Sequence, residues 1–320
     1  MTMRVAAYQH GIYPRSEEVV AATRGLERGR TTPEEADRTY ATDREDFIRA
    51  QQEAGLDYFS DGLLRWQDIF RRLVHGSGGL EARTLVRWFN NNSFVRAPEM
   101  TGDLAVDRQI DPFDQDTSDV PRPRVATLPS PYVFSRAAQT NDDRNALMLE
   151  LTREVLRPAT ATLIENGCEV IHLQEPWLVY FGMEASDWDD FQKAILELRQ
   201  ATEGATLVLH TYFGDAGPYA DRLRRLPVDA IGVDFVETDL EELGTGWDVG
   251  ILAGVLDGRS SPLESTEGTA GFARRVAEAL QPPALFVSSN SDLEFLPRDL
   301  ARQKVLRLGE VSARLKEELA

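Results

Sequence analysis

Cysteine occurs once in the 320 residues, as Cys168, so neither an intrachain disulfide nor a cysteine-rich zinc cluster is available. Its setting, Gly-Cys-Glu-Val-Ile just ahead of an apolar run, suits a small buried residue better than a nucleophile. Positive charge is scarce: 35 basic residues face 53 acidic ones, a formal net charge of −18, and only Lys193, Lys304 and Lys316 are lysines. That balance excludes a nucleic-acid partner and an anionic membrane surface, because a phosphate array needs a basic face. No apolar run approaches the roughly 20 residues of a membrane-spanning helix. The opening Met-Thr-Met-Arg-Val-Ala-Ala-Tyr lacks the basic and apolar regions of a secretion signal. A soluble, cytoplasmic protein is expected.

What is present is alternation. Short apolar runs, suited to buried strands, alternate with longer amphipathic segments, the pattern of βα units and a parallel sheet. Strands are expected at residues 4–9 and 56–60 and in a third run that ends in Leu128-Pro129-Ser130-Pro131-Tyr132, then at 170–173, 205–209, 230–233, 249–252 and 284–287. Thr32-Pro33-Glu34-Glu35 is a capping box with proline at the first helical position, opening a helix to about Ala54. Residues 142–166 read as a helix bent near Pro158. Residues 88–95 read as a hairpin turning at Asn90-Asn91-Asn92, and residues 103–123 as an exposed acidic loop. Three strands before Gly167 and five after it favour one closed (β/α)8 barrel over residues 1–320, with a hairpin and loop inserted at about 85–122. A doubly wound open sheet is the alternative, but its glycine-rich fingerprint after the first strand is missing.

In a barrel the chemistry comes from the carboxyl ends of the strands. Three of the four histidines fall there, His10, His172 and His210, while His75 lies in a glycine-rich stretch. Histidine is the commonest metal ligand, so the three, converging with Asp234 or Glu175, make a candidate metal site. The plainer reading is that each imidazole satisfies a buried polar contact. Glu175 and Asp61 are candidate catalytic carboxylates; Glu175 reads equally as a partner for Arg15 or Arg65, and Asp61-Gly62 as turn chemistry. Arg15 and Arg65 are candidates to hold a substrate carboxylate, or else structural ion pairs.

Several segments, in their order, resemble the cobalamin-independent methionine synthase family. They are Gly11-Ile-Tyr-Pro-Arg15, Ser60-Asp-Gly-Leu-Leu-Arg65, Leu128-Pro-Ser-Pro-Tyr132, Gln174-Glu-Pro176, His210-Thr-Tyr-Phe-Gly-Asp215, Gly254-Val-Leu-Asp-Gly-Arg259 and Val287-Ser-Ser-Asn-Ser291. The resemblance implies a TIM barrel of the methionine synthase / uroporphyrinogen decarboxylase type. It implies a methyl or alkyl transferase acting on a small thiol or amino-acid-like acceptor of the homocysteine kind. The family's long enzymes contain two barrels, and this chain's motifs lie nearest the amino-terminal one, which carries no zinc. In the catalytic barrel a histidine, two cysteines and a glutamate hold zinc. Carried over, the histidine matches His210, the cysteines fall at Tyr212 and near Ser291, and the glutamate falls at Asp234. The substrate-amine carboxylates fall at Leu63 and Gln174.

The expectation is therefore a divalent metal, zinc or another, held through nitrogen and oxygen by His210, Asp234, His172 and His10, without thiolate ligands. Glu175, Asp61 and Tyr212 would serve catalysis, and Arg15, Arg65, Gln174 and Asn290 would bind substrate. A methyl-donor protein or a second barrel subunit is the macromolecular partner implied. The alternative is a non-catalytic barrel that supports a separate zinc-bearing methionine synthase barrel. A uroporphyrinogen decarboxylase-like activity needs a basic pocket for several carboxylates and fits poorly.

Overall fold

A computed structural model describes residues 3–89, 91–106, 119–141 and 143–319. Its strands are β1 (Arg4–Ala7), β2 (Ser77–Arg87), β3 (Phe94–Val106), β4 (Arg124–Pro129), β5 (Cys168–Gln174), β6 (Thr206–Thr211), β7 (Ala230–Asp234), β8 (Gly250–Leu256) and β9 (Ala284–Ser289). Seven of them form a parallel sheet in the order β1-β9-β8-β7-β6-β5-β4, and β2 and β3 form a separate antiparallel pair.

The expected strand at residues 56–60 is not a full strand, yet it occupies the eighth place. The Asp57 N–H donates to the Ala7 carbonyl at 2.9 Å, joining β1. Phe59 donates to Pro123 and accepts from Val125, at 3.0 and 2.9 Å, joining β4. Only the Phe59–Arg124 bridge is regular, so the barrel is closed by a segment too irregular to form a ladder.

Side chains of period two divide each strand between the barrel interior and the helices outside. The lower interior is filled by Ala6, Tyr8, Tyr58, Val125, Val170, Val208, Ala230, Leu252 and Phe286, all buried. This plug makes the barrel a packed core, and polar interior groups are confined to the layers above it.

Helix Pro33–Glu53 starts as its sequence demands. The Thr32 side chain accepts from the Glu35 N–H, and the Glu35 side chain accepts from the Thr32 N–H. The bend expected near Pro158 is a π-helical turn, Thr152–Leu156, between helices Arg144–Leu151 and Arg157–Glu165. A proline that donates no N–H is accommodated by widening the preceding turn.

The inserted hairpin begins earlier than expected, at Ser77 rather than about 85, and residues 103–106 belong to β3 rather than to a loop. Register shifts at Gly78/Leu80 and Ala82/Leu85 break the period-two pattern that would have announced β2. Asn90 of the expected turn and residues 107–118 of the expected loop lie outside the described residues. His75 ends the short helix Arg71–His75 and is exposed, so it takes no part in the barrel.

Candidate functional site

His10 follows β1, His172 lies in β5 and His210 in β6. Gln174 pairs in register with His210, and His172 pairs with Val208. Alternation therefore points His172 and Gln174 from one strand, and His210 and Tyr212 from the next, into the same interior. The three histidines meet directly above the apolar plug and are 1%, 0% and 0% exposed. His10 stacks on His172 with ring centres 4.1 Å apart, and His210 stands edge-on to both, at 4.8 and 5.2 Å. Gly232 makes room for His210: a Cβ there would lie 2.5 Å from the imidazole Cδ2.

Each ring keeps nitrogen unpaired. His10 Nε2 lies 3.1 Å from the Ser289 carbonyl and His172 Nδ1 lies 3.1 Å from the Tyr8 hydroxyl. His10 Nδ1, His172 Nε2 and both His210 nitrogens are buried without a partner. Burial pushes His10 down to about 4 and His172 and His210 well below the usual histidine value, so all three are neutral at pH 7. Neutral imidazoles with free lone pairs are the form that binds a cation. One ligand atom from each ring lies within 4.8 Å of the others. Metal–nitrogen bonds of about 2.0–2.1 Å span at most roughly 4.2 Å, so a small inward movement of the rings completes the fit.

Asp234 ends β7 but is not grouped with the histidines. Its oxygens accept from Asn290 Nδ2 at 2.9 Å and from the Val236 and Phe213 N–H groups at 3.0 and 3.1 Å. Burial nonetheless raises it to about 6. Asn290 braces Asp234 and accepts from the Gly258 N–H at 2.9 Å. Cys168 opens β5 at the amino end of the barrel, with its thiol pushed up to about 12 by burial, so it supplies no thiolate here.

Glu175 faces away from the cluster. It caps helix Pro176–Phe181 through the Leu178 N–H at 2.8 Å, and its other oxygen accepts from the Val133 N–H at 3.0 Å and from the Ser130 hydroxyl. Pro176 at the first helical position was the sign of a capping residue before it. Burial raises Glu175 to about 7 despite these bonds. Glu175→Ala orphans three donors and should cost on the order of 3 kcal/mol in urea denaturation. Glu175→Gln, which keeps an acceptor, should cost far less and leave metal content unchanged.

Asp61 accepts from the Leu63 N–H at 3.0 Å and lines an outer recess with Tyr40, Arg44, Leu64 and Arg65. Arg65 pairs with Asp37 at 2.7 Å and stacks on Tyr40 at 4.6 Å. Both stand apart from the histidines. The charge of half-buried Arg15 acts on Glu294, which places it near the barrel mouth.

Sequence reasoning missed Tyr8, Asp292 and Glu294. Asp292 accepts from Gln174 Nε2 at 2.6 Å and from the Ile12 N–H at 2.9 Å, immediately above His10. Gly11 at φ +72° allows this approach, since a Cβ there would lie 1.5 Å from Asp292 Oδ1. Asp292 Oδ2, Gln174 Oε1 and the Tyr212 hydroxyl are buried and unpartnered. Burial raises Asp292 to about 7 and Glu294 to about 8. Asp292 directly follows the Val287–Ser291 segment and could have been found by extending it one residue.

The hairpin tip covers this layer. Ser93 donates to Glu294 at 3.2 Å, and Phe89 packs against Trp177, Tyr180, Phe181 and Phe213 with ring centres 5.2–5.8 Å apart. Phe89 and Phe213 both hold positive φ, 42° and 71°, a local strain set over the mouth.

These features define a (β/α)8 barrel with a polar chamber at the carboxyl ends of its strands. Residues 57–269 match the family model described as the cobalamin-independent synthase, N-terminal domain, and the chain belongs to that family. A methionine synthase of Sulfolobus acidocaldarius is 24% identical, the match covering 97% of this chain and 91% of that one. A 5-methyltetrahydropteroyltriglutamate–homocysteine methyltransferase of Nitratidesulfovibrio vulgaris is 28% identical over 75% of this chain, but the match spans only 34% of that longer protein. Among solved structures, a B12-independent methionine synthase from a Shewanella species, in complex with selenomethionine, superposes with a TM-score of 0.77 at 16% identity, covering 100% of this chain and 99% of that one. A putative vitamin-B12-independent methionine synthase from Listeria monocytogenes gives 0.75 at 17% identity, covering 98% of each chain. At these identities the structural likeness establishes the fold. Among the described residues no helix is long and apolar enough to cross a membrane.

Proposed function

We propose that this chain is a cytoplasmic methyl- or alkyltransferase of the methionine synthase type. Its acceptor is a small amino-acid-like thiol of the homocysteine kind, and it works with a divalent metal held by His10, His172 and His210. The observation that carries this reading is the closed cluster of three neutral histidines whose inward nitrogens have no partner. Buried polar atoms left unpaired cost free energy, and a bound cation would remove that cost. The zinc set implied by the resemblance, with two thiolates, does not fit the residues present; a set of nitrogen and oxygen donors does. When bound, such an ion lowers the pKa of an acceptor thiol and fixes its position. Asp234 would have to release its present bonds to join the set.

The protein's own groups do the rest. Gln174, Asp292 and Tyr212 present unpaired polar atoms at the mouth, where the polar end of an acceptor would rest. Arg15 stands near them for a carboxylate, and the hairpin tip would exclude water while transfer occurs. The cluster is covered, so the tip must lift for an acceptor to enter.

The match to the amino-terminal domain model favours a second reading, a barrel that supports a separate zinc-bearing barrel. Metal content and homocysteine methylation by the purified chain separate the two. Bound zinc, manganese, iron or cobalt, with only nitrogen and oxygen neighbours in X-ray absorption, is expected for the enzyme. A metal-free chain with no transferase activity, which binds a zinc-bearing barrel, would leave the supporting role standing alone.

A further inference from the structure

We propose that Tyr8 is a positioning residue for the histidine cluster, its hydroxyl selecting which nitrogen of His172 faces the other two rings. The inference rests on the metal reading above and adds a residue that reading does not use.

Tyr8 is fully buried and clamped. Its ring meets Tyr58, His172 and Phe286 edge-on, with centres 5.8–6.0 Å apart. Its backbone is also tied, with the N–H on the Val287 carbonyl at 3.2 Å and the carbonyl accepting from Ser288 Oγ at 2.7 Å. The hydroxyl is thereby held 3.1 Å from His172 Nδ1, the one hydrogen-bond partner that ring has.

The partners of the three rings differ in kind. His10 Nε2 faces a carbonyl oxygen, which only accepts, so that nitrogen carries the proton and Nδ1 turns its lone pair inward. His172 faces a hydroxyl, which can donate or accept. With no cation, the hydroxyl donates to Nδ1 and the proton of the ring sits on Nε2, inside the cluster. With a cation on Nε2, the proton sits on Nδ1 and is donated to the Tyr8 oxygen. The ring stays neutral in both forms, and the same hydrogen bond survives with its direction reversed. His210 has neither kind of partner. Outer groups of this type set the tautomer and orientation of a ligating imidazole and typically change affinity by 10–100-fold.

The test is cobalt(II) titration of the full-length protein against a competing chelator, for wild type, Tyr8→Phe and Tyr58→Phe. Tyr58 packs edge-on against Tyr8, and its hydroxyl accepts from Arg4 rather than from a cluster histidine, so its variant controls for packing. Tyr8→Phe should weaken cobalt binding about 10–100-fold and shift the visible absorption of the ion, with Tyr58→Phe within about two-fold of wild type. Equal affinity and an unchanged spectrum in Tyr8→Phe would overturn the role of Tyr8 and leave the metal reading intact. Wild-type protein that takes up no cobalt would overturn both. Nitrogen-15 NMR of wild-type histidines, free and loaded with diamagnetic zinc, covers the case of a misfolded variant. The proton of His172 should move from Nε2 to Nδ1 on loading, and a proton that stays on Nε2 would overturn the proposal.

Discussion

His210→Ala should abolish bound metal and methyl transfer while the barrel stays folded. The ring donates to nothing and accepts from nothing, so its removal orphans no other group. It does leave a gap beside Gly232, His10 and His172. The cost of that gap is about 1–3 kcal/mol, the usual range for lost core packing, and small enough to keep the native state. If the histidines only fill space, that stability change is the whole effect. Metal content, activity and thermal midpoint on wild type and variant, side by side, distinguish the two cases. A wild type without metal, paired with a variant altered only in midpoint, would remove the metal-dependent enzyme and leave the supporting barrel.

The parts of this site that were legible in the sequence are those set by strand position alone. The runs around His172 and His210 are strand-like, and each histidine is two residues from the next inward side chain, so both were readable as interior groups. His10 was readable because its strand ends at Gly11. Tyr8 was not, since its meaning arises from a residue 164 positions away, brought near only by the closure of β1 against the rest of the barrel. Asp234 and Glu175 show the opposite difficulty. Both are strand-end carboxylates in the sequence, but one is tied to Asn290 and two backbone N–H groups, and the other caps a helix. Which way a strand-end side chain turns is decided by the loop that follows, and loops carry no periodicity to read. The same limit hid β2, whose bulges break the alternation, and the eighth barrel position, where residues 57–59 bond to both neighbours without forming a ladder.

Glu294→Gln should stabilise the protein above about pH 6 and flatten its stability profile. Glu294 sits in the short 3-10 turn Leu293–Phe295 after β9. Burial raises its carboxyl to about 8, Asp292 and Asp68 add to the rise, and Arg15 and the Ser93 hydroxyl oppose it. In the unfolded chain a glutamate titrates near 4.3. Between these values the native state holds a proton that the unfolded chain has released, so stability falls as pH rises. The favourable contribution is complete below the unfolded pKa and is lost as pH climbs through about 8. Its slope approaches about 1.4 kcal/mol per pH unit, and over the whole interval the loss is on the order of 5 kcal/mol. Glutamine occupies the same space, keeps an acceptor for Ser93 and has no proton to lose. Urea midpoints from pH 5 to pH 9 should therefore diverge, with wild type falling more steeply than the variant, which keeps the parallel falls of Asp292 and Glu175, raised by burial to about 7, and of Asp234, raised to about 6. Curves that run parallel across that range would show that Glu294 ionises as it does in water, and that the hairpin tip does not seal the mouth in solution.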